Sequence, residues 1–461
     1  MKRKTYCIVG CGSRAQSFIN TIYTDNADVA ELLALCDTNH ARMEYHNSEI
    51  VNRYHGTALP MYDASEFDIM LKKHQPDYVL VISMDRTHHT YICRAMQLGF
   101  DVITEKPMTI DTEKCRMILD AVKDSNRELR IAFNYRYIPR NTKVKELLST
   151  GILGKITTVH FEWLLDTSHG ADYFRRWHRD KRNSGGLLVH KASHHFDLVN
   201  WWLESYPETV YAQGKLAFYG KENAEKRGIK KFYYRCKDSK TAQNDPWALH
   251  VTPEDTALNG LYFGKPEEED GYCRDLSVFS QGISIEDNMA LLVHYRSGAL
   301  MTYSLNAFSP YEGYRISFTG TKGRLEVHAV DRAYILADQI DNAAFNLPGA
   351  ESKIAQRGES LIPELIYQPQ WGRPRVIEYE KAKGGHDGCD PLLFNHLFRG
   401  VKDDPLNLSA DYIDGVRSIM TGIAGNLSIQ TGNPINLEDL IPDWNHLKYG
   451  YKNKPLTLPQ K

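Results

Sequence analysis

Residues 5–23 read TYCIVGCGSRAQSFINTIY, and this stretch decides the fold. The β-prone run TYCIV passes straight into Gly10-Cys11-Gly12-Ser13-Arg14-Ala15, and apolar residues at helical spacing follow. Strand, glycine loop and helix N-terminus therefore come in immediate succession. Gly10 permits the tight turn, Gly12 lets the backbone approach a pyrophosphate, and Ala15 allows the helix to pack closely on the strand. The helix end opening at Ser13 and Arg14 offers N–H donors and a positive dipole to phosphate oxygens. A GxGxxA loop is common by itself; its place between a strand and a helix makes it a dinucleotide-binding signal.

Outward from this loop the pattern repeats. ELLALCD (31–37), YVLVIS (78–83), DVITEK (101–106) and LRIAFN (129–134) read as buried parallel strands separated by amphipathic segments, a doubly wound α/β domain over residues 1–135. Asp37 ends the second strand about 22 residues beyond the loop, where an acid binds the adenosine ribose hydroxyls and favours NAD. Asp37 as a cap for the following helix is the alternative. Arg14 and Arg42 lie near enough in sequence to accept the 2′-phosphate of NADP, so NADP stays possible.

From residue 136 to 461 the character changes. ITTVHFEWLLD, ETVYAQGKLAFY, MALLVHYRSGALMTYSLNAF, YRISFTGTKGRLEVH and RAYILAD alternate with period two, with turns at RSG and TKG, and predict a large open, mostly antiparallel sheet packed by helices. The class is thus α/β followed by α+β. The polar stretch from about 219 to 281 reads as an insertion, and 340–375 as an irregular excursion. At 461 residues two domains are expected. Hydrophobic and charged contents of 42% and 25% are ordinary, and a net charge of −2 gives no case for nucleic acid or an anionic membrane as partner. No apolar run is long enough for a membrane span, and the start MKRKTYCIVGCG has no secretory core. Eight cysteines without a CxxC pair suit reduced thiols and a cytoplasmic location.

At Thr104-Glu105-Lys106-Pro107 the chain resembles the glucose–fructose oxidoreductase/inositol dehydrogenase (Gfo/Idh/MocA) family. VLVISMDRTHH, GFDVITEKPMT and IAFNYRYIP are similar to its fourth, fifth and sixth strand ends, and GALMTYSLNAF and ISFTGTKGRLEVH to its C-terminal sheet. The resemblance implies that Lys106 stands between nicotinamide and substrate, stabilising a developing alkoxide, with Glu105 beside it and Pro107 in a cis bond. It implies that Ser83, Asp85 and His88 line the cofactor path, although the family more often has Thr-Pro-Asn where this chain has Ser83-Met84-Asp85. Tyr135 and Arg136 match residues that face cofactor and substrate. The family also pairs subunits through the open sheet, so a homodimer or homotetramer is expected.

The stretch GGLLVHKASHHFDLVNWW (185–202) is similar to the family's Gly-Gly, then Asp-x-Gly-x-His-x-x-Asp. His194 falls on the histidine and Asp197 on the last aspartate, while His190 replaces the first aspartate. On one helix His190, His194, Asp197 and Trp201 share a face. His194 then suits the proton of the reacting hydroxyl, His190 assists, and Asp197 orients His194 or a helix end. Lys191 reaches a second wall of the pocket or is structural, and His195 has no assigned task. In RRWHRD (175–180), Arg176, Trp177 and His178 are candidate substrate contacts, with a solvated basic turn as the alternative; His386 in GGHDG is another candidate contact. His190 and His194 also match helical zinc spacing, with His178 or His386 as third ligand. The adjoining lysine and the missing glutamate of HExxH oppose that reading, and no metal is assigned.

The expectation is an NAD-dependent oxidoreductase acting on a ring hydroxyl or ketone of a sugar or glycoside. Glycoside cleavage by transient oxidation and β-elimination uses the same residues. A metal-dependent lyase or hydrolase and a non-catalytic NAD(H) sensor are the remaining classes.

Overall fold

The computed structural model describes residues 3–335, 364–380 and 388–447. The chain opens with β1 (Lys4–Val9), α1 (Ser13–Tyr23), β2 (Ala30–Asp37), α2 (His40–Asn52), β3 (Met61–Asp63) and α3 (Phe67–His74). It continues through β4 (Tyr78–Val81), α4 (His88–Gln97), β5 (Asp101–Thr104), α5 (Thr112–Ser125) and β6 (Leu129–Ile131). These strands run parallel in the order β6-β5-β4-β1-β2-β3, the doubly wound arrangement the sequence predicts. Helices on both faces bury β4 entirely, which is why its sequence YVLV shows no alternation. Strand order reverses between β1 and β4, so a crevice opens beyond their carboxyl ends.

The second unit begins with α6 (Pro139–Ser149), β7 (Ile156–Asp166), α7 (Thr167–Arg175), α8 (Lys181–Ser184), α9 (Leu187–His190), α10 (Ala192–Leu203) and β8 (Pro207–Lys215). Three short helices follow, α11 (Lys221–Lys226), α12 (Thr256–Tyr262) and α13 (Lys265–Asp270). Then come β9 (Asn288–Tyr295), β10 (Leu300–Ser309), β11 (Glu312–Gly320), β12 (Gly323–Arg332), β13 (Leu365–Pro369) and β14 (Arg375–Val376). The chain closes with α14 (Cys389–Arg399), β15 (Ala410–Asp411), α15 (Tyr412–Thr431), β16 (Ile435–Asn436) and α16 (Leu437–Leu440). A nine-stranded sheet, ordered β14-β13-β12-β11-β7-β10-β9-β8-β16, is antiparallel except between β7 and β10. Late residues return to the first sheet: β15 pairs with β6, and Phe394 and Phe398 of α14 pack edge-on against Phe18 and Tyr6.

Several details depart from expectation. The strand expected through residue 219 stops at Lys215, because the Asp287 carboxylate accepts N–H bonds from Ala217, Phe218 and Tyr219 at 2.7–2.8 Å and turns the chain out of the sheet. The excursion expected over 340–375 contains β13, paired with β12. RAYILAD contributes to the sheet only through Arg332, and its end lies outside the described residues. The 219–281 segment packs on α2 of the first domain, where Leu258, Leu261 and Tyr262 meet Tyr45.

α9 and α10 lie between the sheets, held by α15. Gly422 makes that contact: a Cβ there would sit 2.1 Å from the Leu188 carbonyl oxygen. Gly422→Ala is expected to push α9 away and to cost about 1–3 kcal/mol of stability, read as a lower urea midpoint at unchanged slope. An unshifted midpoint contradicts this packing.

Candidate functional site

The crevice between the sheets encloses a cavity of about 690 Å³. Its first half is the glycine loop. Gly10 has φ +94°, and a Cβ there would meet Ser83 N at 2.4 Å, so only glycine fits. α1 begins after Gly12 with no side-chain cap of its own. Instead Tyr262, from the inserted segment, accepts the Ser13 N–H at 2.8 Å, in the place a phosphate oxygen takes at such a helix end. Asp37 accepts from Cys11 N at 2.5 Å and Asn39 N at 2.8 Å and lines the cavity; the cap of α2 is Asn39, so Asp37 is not the cap. These groups fit a dinucleotide.

The two arginines considered for a 2′-phosphate are already engaged. Arg14 donates to Glu105 at 2.6 Å and Asp390 at 2.8 Å. Arg42 pairs with Asp270 at 2.7 Å, donates to Leu261 O at 2.9 Å, and lies over the Tyr262 ring. Sequence reasoning missed Tyr262, Asp270 and Tyr272 as cavity residues. They lie more than 200 positions from the loop they cover, in a segment without periodicity.

Lys106 follows β5 and lines the same cavity, and its peptide to Pro107 is cis. Burial lowers the Lys106 ammonium pKa, while Asp85 and Glu105 push it back up. Nζ donates to the His190 carbonyl at 3.3 Å. His190 Nδ1 lies 2.5 Å from the Asp85 carboxylate. Burial opposes charge on both partners, raising Asp85 and lowering His190, which leaves one exchangeable proton in a short contact. His194 stacks flat on Tyr135, centroids 4.1 Å apart at 10°, and neither of its ring nitrogens has a hydrogen-bond partner among the described residues. Burial, then Lys106 and Lys191, hold it neutral. His178 stacks on Trp177 at 3.6 Å and meets the His190 ring edge-on at 4.2 Å. Lys191 completes this wall by donating to the Tyr135 hydroxyl at 2.8 Å. Among the described residues no group of three or more His, Cys, Asp or Glu stands ready to hold a metal ion.

Some expected contacts fall elsewhere. Arg136 is fully buried and does not line the cavity: it bonds Asp197 at 2.8 and 2.5 Å and Asp414 at 3.0 Å. The expectation that Arg136 faces cofactor and substrate is therefore corrected, as is the idea that Asp197 orients His194; the two charges neutralise one another where water cannot reach. His88 borders the cavity with both ring nitrogens on backbone, at Pro107 O (2.8 Å) and Ser83 O (2.9 Å), and so braces the turn that carries Lys106. His195 stacks on Trp163 and bonds Tyr303, a core position. RRWHRD is no solvated turn. Arg175 and Arg179 fasten the inserted segment through the carbonyls of Trp247, Ser277 and Gln281. Arg176 faces the cavity from a pair with Asp172 at 2.8 Å. His386 lies outside the described residues.

Comparison with known proteins matches residues 4–133 to the "Oxidoreductase family, NAD-binding Rossmann fold" and residues 145–437 to the "Oxidoreductase family, C-terminal alpha/beta domain". YteT of Bacillus subtilis strain 168 is 34% identical over 455 residues, covering 95% of this chain and 99% of that protein. D-glucoside 3-dehydrogenase of Escherichia coli K12 is 27% identical over 149 residues, 32% of this chain and 40% of that protein. The crystal structure of the WlbA dehydrogenase from Bordetella pertussis, in complex with NADH and UDP-GlcNAcA, superposes with TM-score 0.59 at 18% identity, covering 94% and 99% of the two chains.

The Arg136 correction has a measurable consequence. Arg136→Met leaves Asp197 buried without its main partner and is expected to cost about 3–5 kcal/mol of stability, with Arg136→Lys intermediate because it loses the forked geometry. Affinity for NAD is expected to stay within about twofold (~0.4 kcal/mol). Unchanged stability with lost NAD binding would return Arg136 to the cofactor site.

Proposed function

The chain belongs to the Gfo/Idh/MocA family of oxidoreductases, with an NAD-binding Rossmann domain, and from that premise we propose that it transfers a hydride between NAD and a ring hydroxyl or ketone of a sugar or glycoside. One observation carries the reading: Lys106, the Asp85–His190 pair and the unpartnered His194 converge on one cavity that also holds the glycine loop. Backbone N–H groups at Gly12–Arg14 would hold the pyrophosphate and Asp37 the adenosine ribose; bound there, NAD supplies the hydride acceptor or donor.

The chain's own residues handle the oxygen and its proton. The half-buried Lys106 ammonium donates to the reacting oxygen and stabilises the negative charge that grows there, an effect strengthened by the low dielectric around it. His194, neutral and with free ring nitrogens, takes the hydroxyl proton. His190, oriented by Asp85, bonds a neighbouring hydroxyl or passes that proton on. The face of Trp177 turned away from His178 suits a sugar ring. A glucoside dehydrogenase among the partial relatives supports the carbohydrate class. The open sheet face, where Leu292 and Leu300 are 56% and 58% exposed, suits pairing of two copies, and eight free thiols suit a cytoplasmic location. Cleavage by transient oxidation and β-elimination is a second outcome, favoured by the extra amine of Lys191 in the same cavity.

Turnover of a glycoside panel with NAD, followed by nicotinamide absorbance, tests the reading. His194→Asn is expected to lower the rate by about 10²–10⁴-fold. Binding of NAD and sugar with no turnover across the panel would favour a sensor. For cofactor choice, Asp270→Ala releases Arg42 and is expected to raise NADP affinity relative to NAD by about tenfold, or ~1.4 kcal/mol. An unchanged ratio removes Arg42 from the ribose end.

A further inference from the structure

Oxidising a hydroxyl moves one proton, and His194 accounts for it. The cavity holds a second pair of proton carriers that hydride transfer leaves unused. Lys191 lies at the junction of α9 and α10, is 4% exposed and still reaches the cavity. Its Nζ bonds the Tyr135 hydroxyl at 2.8 Å and stands 5.3 Å from the ring centres of both Tyr135 and Trp163. Among the described residues it forms no ion pair with a carboxylate. The other face of this wall is His194, stacked on the same Tyr135 ring.

Charged groups reach Lys191 from every packed element. Glu312 on β11 and Asp331 on β12 favour its ammonium, and Lys106 after β5 opposes it. His169 on α7 and His194 and His195 on α10 are held neutral by burial. Burial dominates and brings Lys191 down to about 8, so a share of the amine is unprotonated near neutral pH. A lysine that serves only as a fixed cation needs no such environment.

We propose that Lys191, paired with Tyr135, is a second general base, which removes the proton from the carbon next to the ketone of an oxidised sugar. The proposal rests on the sugar-oxidoreductase reading. The C–H electron pair becomes the C=C bond of an enolate, the carbonyl π pair moves onto the oxygen held by Lys106, and the proton rides on Lys191. Return of the proton restores the ketone. Where a glycosidic oxygen stands β to the ketone, the enolate re-forms C=O, the new C=C bond forms toward that carbon, and the C–O bond breaks. The departing oxygen takes the Tyr135 proton, which Lys191 replaces. No oxidant is needed beyond the NAD that makes the ketone.

A chemically prepared keto-glycoside, methyl 3-ketoglucoside, bypasses the oxidation. The protein loaded with NAD is given this probe in deuterated buffer, and deuterium at the carbons beside the ketone is followed by NMR. Exchange above the buffer rate is expected to rise with pH to a plateau, with a midpoint near pH 8. Lys191→Met is expected to slow it by about 10²-fold or more, and Lys191→Arg to give no rescue, since a guanidinium keeps the charge but does not release its proton. Competitive acetylation of the unloaded wild-type protein needs neither variant nor turnover: Lys191 should titrate near 8, apart from surface lysines near ~10.4. Absent exchange, exchange unchanged in Lys191→Met, rescue by Lys191→Arg, or titration with the surface lysines would each overturn the proposal. Failure of the hydride-transfer reading appears separately, as exchange on the ketone with no turnover of any glycoside in the presence of NAD.

Discussion

Arg136 grips Asp197 through two N–H groups and reaches Asp414 at 3.0 Å, all three buried between the sheets. Arg136 follows the last strand of the parallel sheet, Asp197 lies on the helix that carries His194, and Asp414 opens the long helix that backs it. One guanidinium thus fixes the histidine helix against the domain that presents Lys106. Such a triad adds little net stability compared with apolar packing, but only one docking of the helix satisfies it. The reacting groups inherit their separation from that constraint.

Within the fixed frame, two departures from the family pattern meet. His190 stands where the family has aspartate, Asp85 where it has asparagine, and their side chains touch at 2.5 Å. The helix position thus carries an imidazole, and the carboxyl group that contacts it comes from the loop after β4. Lys106, Lys191 and Arg176 add positive charge around it, and together with burial this keeps the surrounding imidazoles neutral and ready to accept a proton.

Much of this was legible before any coordinates. The strand–loop–helix of residues 5–23, the buried parallel strands and Glu105-Lys106-Pro107 are local patterns, and local patterns survive folding. Period-two alternation likewise announced the second sheet. What stayed hidden depends on distance along the chain. Nothing near Arg136 announces Asp197 and Asp414, and the family resemblance places Arg136 at the cofactor although its charge is spent inside. Tyr262 and Asp270 come from a polar segment whose fold is set by the Leu258, Leu261 and Tyr45 contacts and by carbonyls that hold Arg175 and Arg179, none of which has a periodic signature. The spacing puts His190, His194 and Asp197 on one helix, whereas the structure ends α9 at His190 and carries His194 and Asp197 on α10, where the side chains turn from cavity to core within one turn.

The central claim is that a carbon-bound hydrogen of a sugar passes directly to nicotinamide in this cavity. A glycoside panel fully deuterated on the ring carbons, incubated with the protein and NAD, tests it through the mass of the nicotinamide recovered afterwards. The account predicts nicotinamide carrying deuterium taken from the sugar, with no label arriving from solvent. Nicotinamide that stays unlabelled while a ketone product accumulates would contradict it.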